Sequence, residues 1–353
     1  MGKPVLRIWI DVLTPKQAKL FAHMIKHALY RHEVFVTARD YEYTVAVLRR
    51  YGVEPIVVGK YGHDLRTKLV NEVERMRELL NIVGDFDVLI AFPNPAASRI
   101  AFGLKRPYIA LTDSPHSIAP SRLSLPLADA VVFPSCIPRG EISRFVYPGT
   151  HLETYRGVDE VEWIKDFRPC IDAVKELELE PWSYIVARPP EHRASYYERA
   201  HDIMAEFVRV IEVCLEKGLS VVYMPRYSDD ALLKKFRDRK NFIVPDPTTG
   251  IEGSNVLYYA IAAITGGGTI AREAALLGTL GISMFPREMH VDRFVEMLGL
   301  PHVRAHRSED VLKLVKQALD DPRRFKSEAA KVVSTLETPS SGVLRALKEV
   351  LER

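Results

Sequence analysis

The sequence predicts an α/β protein of two Rossmann-like, doubly wound parallel-sheet domains that face a cleft. Short β-rich segments alternate with longer helical segments along almost the whole chain, which is typical of parallel sheets covered by helices. The length of 353 residues exceeds that of one typical domain. The alternation loosens once, near residues 145–170. We therefore expect an N-terminal domain over 1–158, a C-terminal domain over 159–340, and a last helix at 341–353 that packs back on the first domain.

The first half begins with a strand, and a helix start follows it closely. Thr14 precedes Pro15, which is a signal for a helix N-cap and a first helical residue. Apolar residues then recur on one face up to about Tyr30. Further helices are predicted over 41–51 and 64–81. The predicted strands of this half are 5–10, 33–38, 54–58, 87–92, 107–111 and 130–134.

The second half restarts the alternation. A long helix is predicted over 196–217, and a closing helix over 341–352. The predicted strands are 183–188, 220–224, 241–244, 260–264 and 280–285. Ligands of such sheets bind beyond the carboxyl ends of the strands, so residues that follow strands are the candidates for function.

Composition excludes several classes of protein. The net charge of +3 comes without a Lys/Arg block, which argues against a nucleic-acid binder. Cys136, Cys170 and Cys214 lie far apart, so neither a zinc site nor a disulfide framework is indicated. No apolar run approaches the ~18 residues of a membrane span, and the N-terminus lacks signal-peptide features. We expect a cytoplasmic protein, and the scarcity of glutamine suggests a heat-adapted source.

The stretch "ITGGGTIAREAALLGT" carries the strongest functional signal. Gly266, Gly267 and Gly268 follow a strand and precede a helix, where free amides and the helix dipole favour an anion such as phosphate. Thr269 can cap this helix or donate a hydroxyl. Glu273 lies one turn further on the same face and suits a ribose diol. The alternative is a tight turn with a capping Thr and an exposed Glu, and spacing alone leaves both open.

This stretch, in the second of two α/β domains, resembles the nucleotide-binding motif of GT-B glycosyltransferases and the matching loop of non-hydrolysing UDP-N-acetylglucosamine 2-epimerases. The chain is also similar to an archaeal family of uncharacterised proteins in that superfamily. That similarity covers nearly the whole chain, including "IWIDVLTPKQAKLF", "LTDSPHSIAPSRLSLPLADAVVFPS", "YRGVDEVEWI" and "YIVARPPEHRASYY". Two departures from the epimerases stand out: "DVLTPK" replaces their Gly-Thr-Arg-Pro-Glu pattern, and Ala271-Arg272-Glu273 replaces their Gln-Glu-Glu run.

The resemblance implies that Gly266–Gly268 and Thr269 hold the diphosphate of a nucleotide sugar, such as a UDP-sugar, and that Glu273 holds its ribose. The leading hypothesis is a metal-independent GT-B glycosyltransferase that needs no cofactor beyond this substrate. One alternative is a sugar-nucleotide 2-epimerase or hydrolase. Another is a non-catalytic sugar-nucleotide-binding protein. The acceptor, which the sequence does not name, could be acidic or lipid-linked, and an oligomer is compatible with all three.

Candidate catalytic residues lie in the first half. Asp11 ends the first strand and could act as a base on an acceptor hydroxyl, with Lys16 meeting an acid nearby. The alternative is a loop Asp that helps to cap the helix. In "TDSPHS", Asp113 and His116 could form a base and its orienting partner. The alternative there is an ordinary turn before a helix.

Candidate cations and polar groups of the second half also follow strands. Arg188 could neutralise a leaving diphosphate, and an interdomain salt bridge is the alternative. His192 and Arg226 are weaker candidates at similar positions. Glu288 and His290 could reach the sugar, although a solvated loop accounts for them equally simply.

The first helix carries a basic stripe. Its members are Lys16, Lys19, His23, Lys26 and His27. His23 and His27 are four residues apart and could share a metal, but no third ligand is evident, so we predict no metal site. The stripe could meet an acidic acceptor or lipid headgroups at a membrane surface, and a solvated helix face is the simpler interpretation.

Overall fold

The computed structural model describes residues 5–190, 200–226, 230–246 and 253–352. The chain divides into two compact units, Met1–Trp163 with Leu336–Arg353, and Ile164–Thr335. Each unit contains one sheet in which all neighbouring strands are parallel. The prediction of two parallel-sheet α/β domains is therefore confirmed.

The first unit is built on a seven-stranded sheet of order β3-β2-β1-β4-β5-β6-β7. Its strands are β1 Arg7–Val12, β2 Glu33–Asp40, β3 Ile56–Lys60, β4 Val88–Ala91, β5 Tyr108–Leu111, β6 Ala130–Pro134 and β7 His151–Tyr155. Its helices are α1 Pro15–His27, α2 Thr44–Arg50, α3 Leu65–Ile82, α4 Pro95–Gly103, α5 Ile118–Ser124, α6 Arg139–Ser143, α7 Val161–Ile164 and α16 Pro339–Leu351, with a short 3₁₀ turn at Leu125–Leu127.

The start of α1 follows the sequence signal. Thr14 has extended backbone angles, and its side chain accepts from the amide of Gln17, so it is the N-cap. Pro15 is the first helical residue, where its missing amide proton costs nothing. The helix therefore begins close to the carboxyl end of β1, the edge at which doubly wound sheets in general bind ligands.

Strand β7 was not predicted. It lies inside the region where the alternation loosens, and its residues "HLETY" are mostly half-buried because β7 is the outermost strand of the sheet. An edge strand buries less of each side chain and so lacks the continuous apolar run that marks a central parallel strand. The region predicted as a linker therefore contributes a strand to the first unit.

Helix α16 packs on strands β6 and β7, although it is the last helix of the chain. Gly342 allows this approach, because a Cβ there would lie 2.7 Å from the Cγ1 atom of Val132. The carboxylate of Glu162 accepts the amide of Ser340 at 2.9 Å, near the helix N-terminus. These contacts belong to the first unit, whose chain is thus discontinuous.

The second unit is built on a six-stranded sheet of order β10-β9-β8-β11-β12-β13. Its strands are β8 Tyr184–Arg188, β9 Ser220–Tyr223, β10 Phe242–Ile243, β11 Ala262–Thr265, β12 Leu280–Ser283 and β13 His302–Arg304. Its helices are α8 Asp172–Lys175, α9 Ala200–Glu216, α10 Ala231–Phe236, α11 Gly253–Tyr258, α12 Thr269–Leu276, α13 His290–Met297, α14 Ser308–Asp320 and α15 Lys326–Ser334. The order reverses between β8 and β11, which is the switch point where doubly wound sheets bind ligands.

Within the parts of the chain that the structure describes, we find no helix that combines the length and apolarity required to cross a membrane.

Candidate functional site

The glycine bend lies at the switch point of the second sheet, directly after β11. Two of its amides are used within the protein. The amide of Gly266 donates to the carbonyl of Arg188 at 3.1 Å, and the amide of Gly267 donates to the Oγ1 atom of Thr265 at 3.1 Å. The expectation that the amides of the whole bend face a ligand is therefore wrong for these two.

The three glycines are needed for different physical reasons. A Cβ on Gly266 would lie 2.2 Å from the Cα atom of Pro190, in the loop that follows β8. A Cβ on Gly268 would lie 2.3 Å from a guanidinium nitrogen of Arg272. On Gly267 the nearest atom would be the Nη2 atom of Arg226, at 3.4 Å. Neighbouring protein atoms thus fill the space beside Gly266 and Gly268, whereas the described residues leave space for a side-chain carbon at Gly267.

The donors that remain belong to the first turn of α12. The amides of Gly268, Thr269 and Ile270 have no acceptor among the residues that the structure describes. Gly268 is the N-cap and makes no side-chain cap, so Thr269 is the first helical residue and not the predicted cap. Amide donors and the positive end of the helix dipole together make this turn a candidate anion site.

Two arginines stand at the same end of the sheet. Arg226 donates from Nε to the carbonyl of Pro189 at 2.9 Å, so its side chain joins the loop after β8 to the glycine bend. Arg188 is half-buried at the end of β8. The charges of Arg188 and Arg226 both act on the hydroxyl of Tyr223, although burial dominates and raises the pKa of that phenol. Arg226, which the sequence ranked low, therefore lies directly at the bend.

Glu273 is buried one turn inside α12. Its residue exposure is 5%, and its Oε1 atom accepts the Ser254 hydroxyl at 2.7 Å. A carboxylate held by a hydroxyl at the start of α11 has a fixed orientation. The alternative of an exposed, purely solvated Glu273 does not describe this environment.

Arg272 replaces an acidic residue of the epimerase pattern, and the structure shows how it is neutralised. Its Nη1 atom lies 2.6 Å from the Oδ1 atom of Asp292, and both side chains are buried. His302 lies beyond this pair, with Nδ1 at 3.0 Å from the carboxylate of Glu296. The pair anchors the first turn of α12 to α13 from inside the unit.

A second polar cluster lies at the carboxyl edge of the first sheet. Lys16, in the first turn of α1, forms salt bridges with Asp113, which follows β5, and with Asp159, which follows β7. The distance from Nζ of Lys16 to Asp159 is 2.7 Å. Asp113 also accepts the Ser114 hydroxyl at 2.7 Å. The suggestion that Lys16 contacts an acid near Asp11 holds for two carboxylates, Asp113 and Asp159.

Asp159 is the residue of this cluster that sequence reasoning missed. Burial raises its pKa to about 6, with Lys16 opposing the rise and the carboxylates of Asp113 and Glu160 adding to it. Tyr155 donates its hydroxyl to the Oδ1 atom of Asp159. The cluster therefore contains one carboxyl group whose pKa lies near neutral pH, which is the range that suits proton transfer.

Asp11 occupies a different environment from the one predicted. Its side chain is fully buried and accepts from both Nη atoms of Arg75, at 2.6 and 2.8 Å. It also accepts from Thr37 at 2.5 Å and from Asn94 at 2.6 Å. Four donors around one buried carboxylate tie β1 to β2, to the middle of α3 and to the loop after β4. The structure therefore favours an organising role for Asp11 over the role of a base.

The remaining candidates are distributed as follows. His116 is half-buried in the turn between β5 and α5, three residues after Asp113. His192 lies outside the described residues. Glu288 is exposed, with its carboxylate 3.9 Å from Arg293, which fits the solvated-loop alternative. His290 is the exposed first residue of α13.

The two histidines of α1 pack together. The ring centroids of His23 and His27 are 6.0 Å apart, and His23 also contacts the ring of Tyr51 at 4.9 Å. Among the described residues, no group of three or more His, Cys, Asp or Glu side chains is placed to hold a metal ion. Packing on Tyr51 accounts for the position of His23.

Comparison with known proteins identifies the family. The family model of DUF354, described as a protein of unknown function, matches residues 6–352. The chain belongs to the DUF354 family. An uncharacterised protein from Methanocaldococcus jannaschii is 27% identical over 299 residues, which cover 82% of this chain and 85% of that protein.

Solved structures of sugar-nucleotide enzymes share the fold of this DUF354 protein. The UDP-GlcNAc 2-epimerase of M. jannaschii, in complex with UDP-GlcNAc and UDP, matches with a TM-score of 0.69 and 15% identity over 98% of this chain and 100% of that chain. The spinosyn forosaminyltransferase SpnP matches with a TM-score of 0.58 and 16% identity, over 98% and 99% of the two chains. The fold is thus that of GT-B-type glycosyltransferases and UDP-GlcNAc 2-epimerases, as the sequence motifs predicted.

Proposed function

We propose that this DUF354 protein binds a nucleoside-diphosphate sugar, such as a UDP-sugar, and transfers the sugar to an acceptor. The observation that carries the proposal is the group of donors at the switch point of the second sheet: the amides of Gly268, Thr269 and Ile270 beside Arg226. Helix dipole, amides and guanidinium all favour a group with two negative charges, as in a diphosphate.

The nucleotide contacts follow from this placement. The diphosphate would accept from the first turn of α12 and from Arg226, with Arg188 adding charge beside it. The ribose would donate its hydroxyls to Glu273, whose carboxylate Ser254 already orients. The fold similarity to an epimerase that was solved with UDP-GlcNAc and UDP supports a nucleotide sugar as the ligand.

The transfer step needs a base and a stabilised leaving group. The acceptor oxygen forms a bond to the anomeric carbon while the bond from that carbon to the phosphate oxygen breaks. The electron pair goes to the diphosphate, which the cations of the second unit stabilise. The acceptor proton goes to Asp113, which now accepts the Ser114 hydroxyl and would exchange it for the hydroxyl of the acceptor.

Lys16 positions the proposed base, Asp113, beside a second carboxyl group. Its ammonium group contacts both Asp113 and Asp159, so it holds the two carboxyl groups together despite their repulsion. After transfer, Asp159 offers a second place for a proton, because its pKa of about 6 lies near neutrality. Removal of Lys16 should therefore lower turnover more than nucleotide binding.

A panel of nucleotides tests the proposal first. Calorimetric titration with UDP, GDP, dTDP and uridine should show that at least one diphosphate binds and that uridine binds far more weakly. Arg226→Gln should weaken diphosphate binding about tenfold or more, since a charge-assisted pair is lost. Arg237→Gln, which changes an exposed charge in the same unit, is the control. Failure of every diphosphate to bind would remove the proposal.

A 2-epimerase is the second candidate, because the epimerase match has the higher TM-score, 0.69 against 0.58 for the forosaminyltransferase. The paired carboxyl groups around Lys16 could also move a proton at a sugar carbon. Product analysis with UDP-sugars separates the candidates. An epimer or free sugar formed without acceptor identifies the epimerase, whereas release of UDP only with acceptor identifies the transferase. Binding without any turnover identifies a sugar-nucleotide-binding protein.

A further inference from the structure

A second group of cations lies at the carboxyl edge of the first sheet, away from Lys16. Arg39 is at the end of β2, and its guanidinium lies 5.2 Å from the ring centroid of Tyr41 and 4.8 Å from that of Tyr61. The two rings contact each other at 4.8 Å, and the ammonium of Lys68 lies 4.9 Å from the ring of Tyr61. These four half-buried residues are called the Arg39 cluster.

Most hydrogen-bond donors of Arg39 have no acceptor among the residues that the structure describes. A guanidinium carries five N–H donors in a planar fork. Within the described residues, Arg39 makes one hydrogen bond, from Nη2 to the carbonyl of Leu13 at 3.2 Å. Its Nε atom is buried and has no hydrogen-bond partner there. The fork is thus held in place by aromatic rings and one carbonyl, and the Nη groups, of which Nη1, unlike Nε, is not buried, supply the donors left for a ligand.

Among the described residues of the first unit, no acid contacts this guanidinium. Arg39 forms no salt bridge with any described residue, and burial together with the neighbouring charge of Arg75 lowers its pKa. Arg75 is itself paired with Asp11. Burial raises the pKa of the nearby Glu72, although the positive charges of Arg39 and Arg75 lower it in part. Glu72 makes no salt bridge within the described chain. A half-buried cation that no described carboxylate contacts is costly, and an anionic ligand would relieve that cost.

The position of the cluster fits an acceptor subsite. Leu13, which binds Arg39, is in the loop from β1 to α1 that also leads to Lys16. Strands β2 and β5 are separated by β1 and β4. The carboxyl ends of β2 and β5 are thus three strand spacings apart, roughly 14 Å at about 4.8 Å each. One edge therefore has an acidic end at Asp113 and a cationic, aromatic end at Arg39.

We propose that the Arg39 cluster binds an anionic group, a carboxylate or a phosphate, carried on a sugar of the acceptor. The guanidinium fork matches both groups in a bidentate arrangement, and Lys68 adds a point charge. The rings of Tyr41 and Tyr61 offer apolar surface to a sugar ring beside the anion. The identification of the ligand as the acceptor rests on the proposed transferase function, whereas the binding itself does not.

The test uses the whole protein and small probes. Calorimetry measures the binding of D-glucuronate and glucose 6-phosphate, with glucose as the neutral control and inorganic phosphate as the control without a sugar. Arg39→Gln and Lys68→Gln are compared with Lys60→Gln, which removes an exposed cation at the end of β3 outside the cluster. Lys68→Gln also covers the case in which Arg39→Gln fails to fold, because Lys68 is only half-buried.

The expected result is binding of at least one anionic sugar, weakened about tenfold or more in Arg39→Gln and several-fold in Lys68→Gln, and unchanged in Lys60→Gln. Glucose should bind far more weakly. Equal binding of glucose, equal binding of inorganic phosphate, equal loss in all three variants, or no binding of either anionic sugar overturns the proposal. UDP titration of the same samples keeps the two proposals apart, because the subsite can fail while the second unit still binds the nucleotide.

Discussion

Alanine at two adjacent glycines of the bend should give two different defects. At Gly266 the new Cβ meets backbone, 2.2 Å from the Cα atom and 2.4 Å from the nitrogen of Pro190, so the loops after β8 and β11 must separate. Overpacking of this kind costs about 1–3 kcal/mol. For a unit of about 170 residues this corresponds to a fall in melting temperature of roughly 3–10 °C. Among the described residues, the first atom that Gly267→Ala meets is the end of the flexible Arg226 side chain, at 3.4 Å, and the change should shift the melting temperature by about 1 °C or less.

For UDP binding, in contrast to stability, Gly267→Ala should be the more harmful of the two variants. The Cβ of Gly267→Ala points at Arg226, which we propose contacts the diphosphate, so UDP affinity should fall about tenfold even though the fold is intact. A tenfold loss removes about 1.4 kcal/mol of ligand stabilisation, or roughly 3–5 °C of the melting-temperature increase that saturating UDP produces. Thermal unfolding with and without UDP measures both effects. Equal stability of Gly266→Ala and the wild type, or unchanged UDP stabilisation in Gly267→Ala, would refute the reasoning.

Three further changes test the electrostatics of the two units. Asp11→Asn leaves Arg75 buried without its counter-ion and should lower the free energy of unfolding by about 3–5 kcal/mol in urea titrations, whereas Glu54→Gln at an exposed ion pair should change it by less than about 1 kcal/mol. Burial lowers the pKa of Lys326 from 10.5 to about 7, so the folded state binds fewer protons than the unfolded state between these values. Stability should therefore rise by an amount on the order of 5 kcal/mol as the pH rises through this window, and Lys326→Met should flatten the rise. The pKa of Asp159 is raised from 3.8 to about 6, so the folded state binds its proton more tightly than the unfolded state. The resulting stabilisation is fully present below pH 3.8 and is lost as the pH rises through 6. Asp159→Asn should abolish this loss in unfolding curves measured between pH 3 and 7.

Much of the fold could be predicted because central parallel strands are apolar on both faces. Strands β4, β5 and β6 are completely buried, and their sequences are continuous apolar runs. The outer strands β7 and β13 were missed, since edge strands are partly exposed and short. The Thr14-Pro15 signal located the start of α1, because capping is a local property of the chain.

From the sequence we could predict which candidate residues lie at the carboxyl edge of each sheet, but not which side chains contact each other there. Strand ends pointed correctly to Asp113, Arg188 and the glycine bend as residues of one edge in each unit. Sequence alone could not show that four donors enclose Asp11, because they come from three other parts of the chain. The contact of Asp159 with Lys16 was hidden for the same reason, since the two residues are distant in sequence.

The most direct test of the account is a crystal structure of the protein with bound UDP. We predict the diphosphate within hydrogen-bond distance of the amides of Gly268, Thr269 and Ile270, with the guanidinium of Arg226 beside it and a ribose hydroxyl on Glu273. A diphosphate bound elsewhere on the molecule, or an α12 N-terminus that carries only water at saturating UDP, would contradict it.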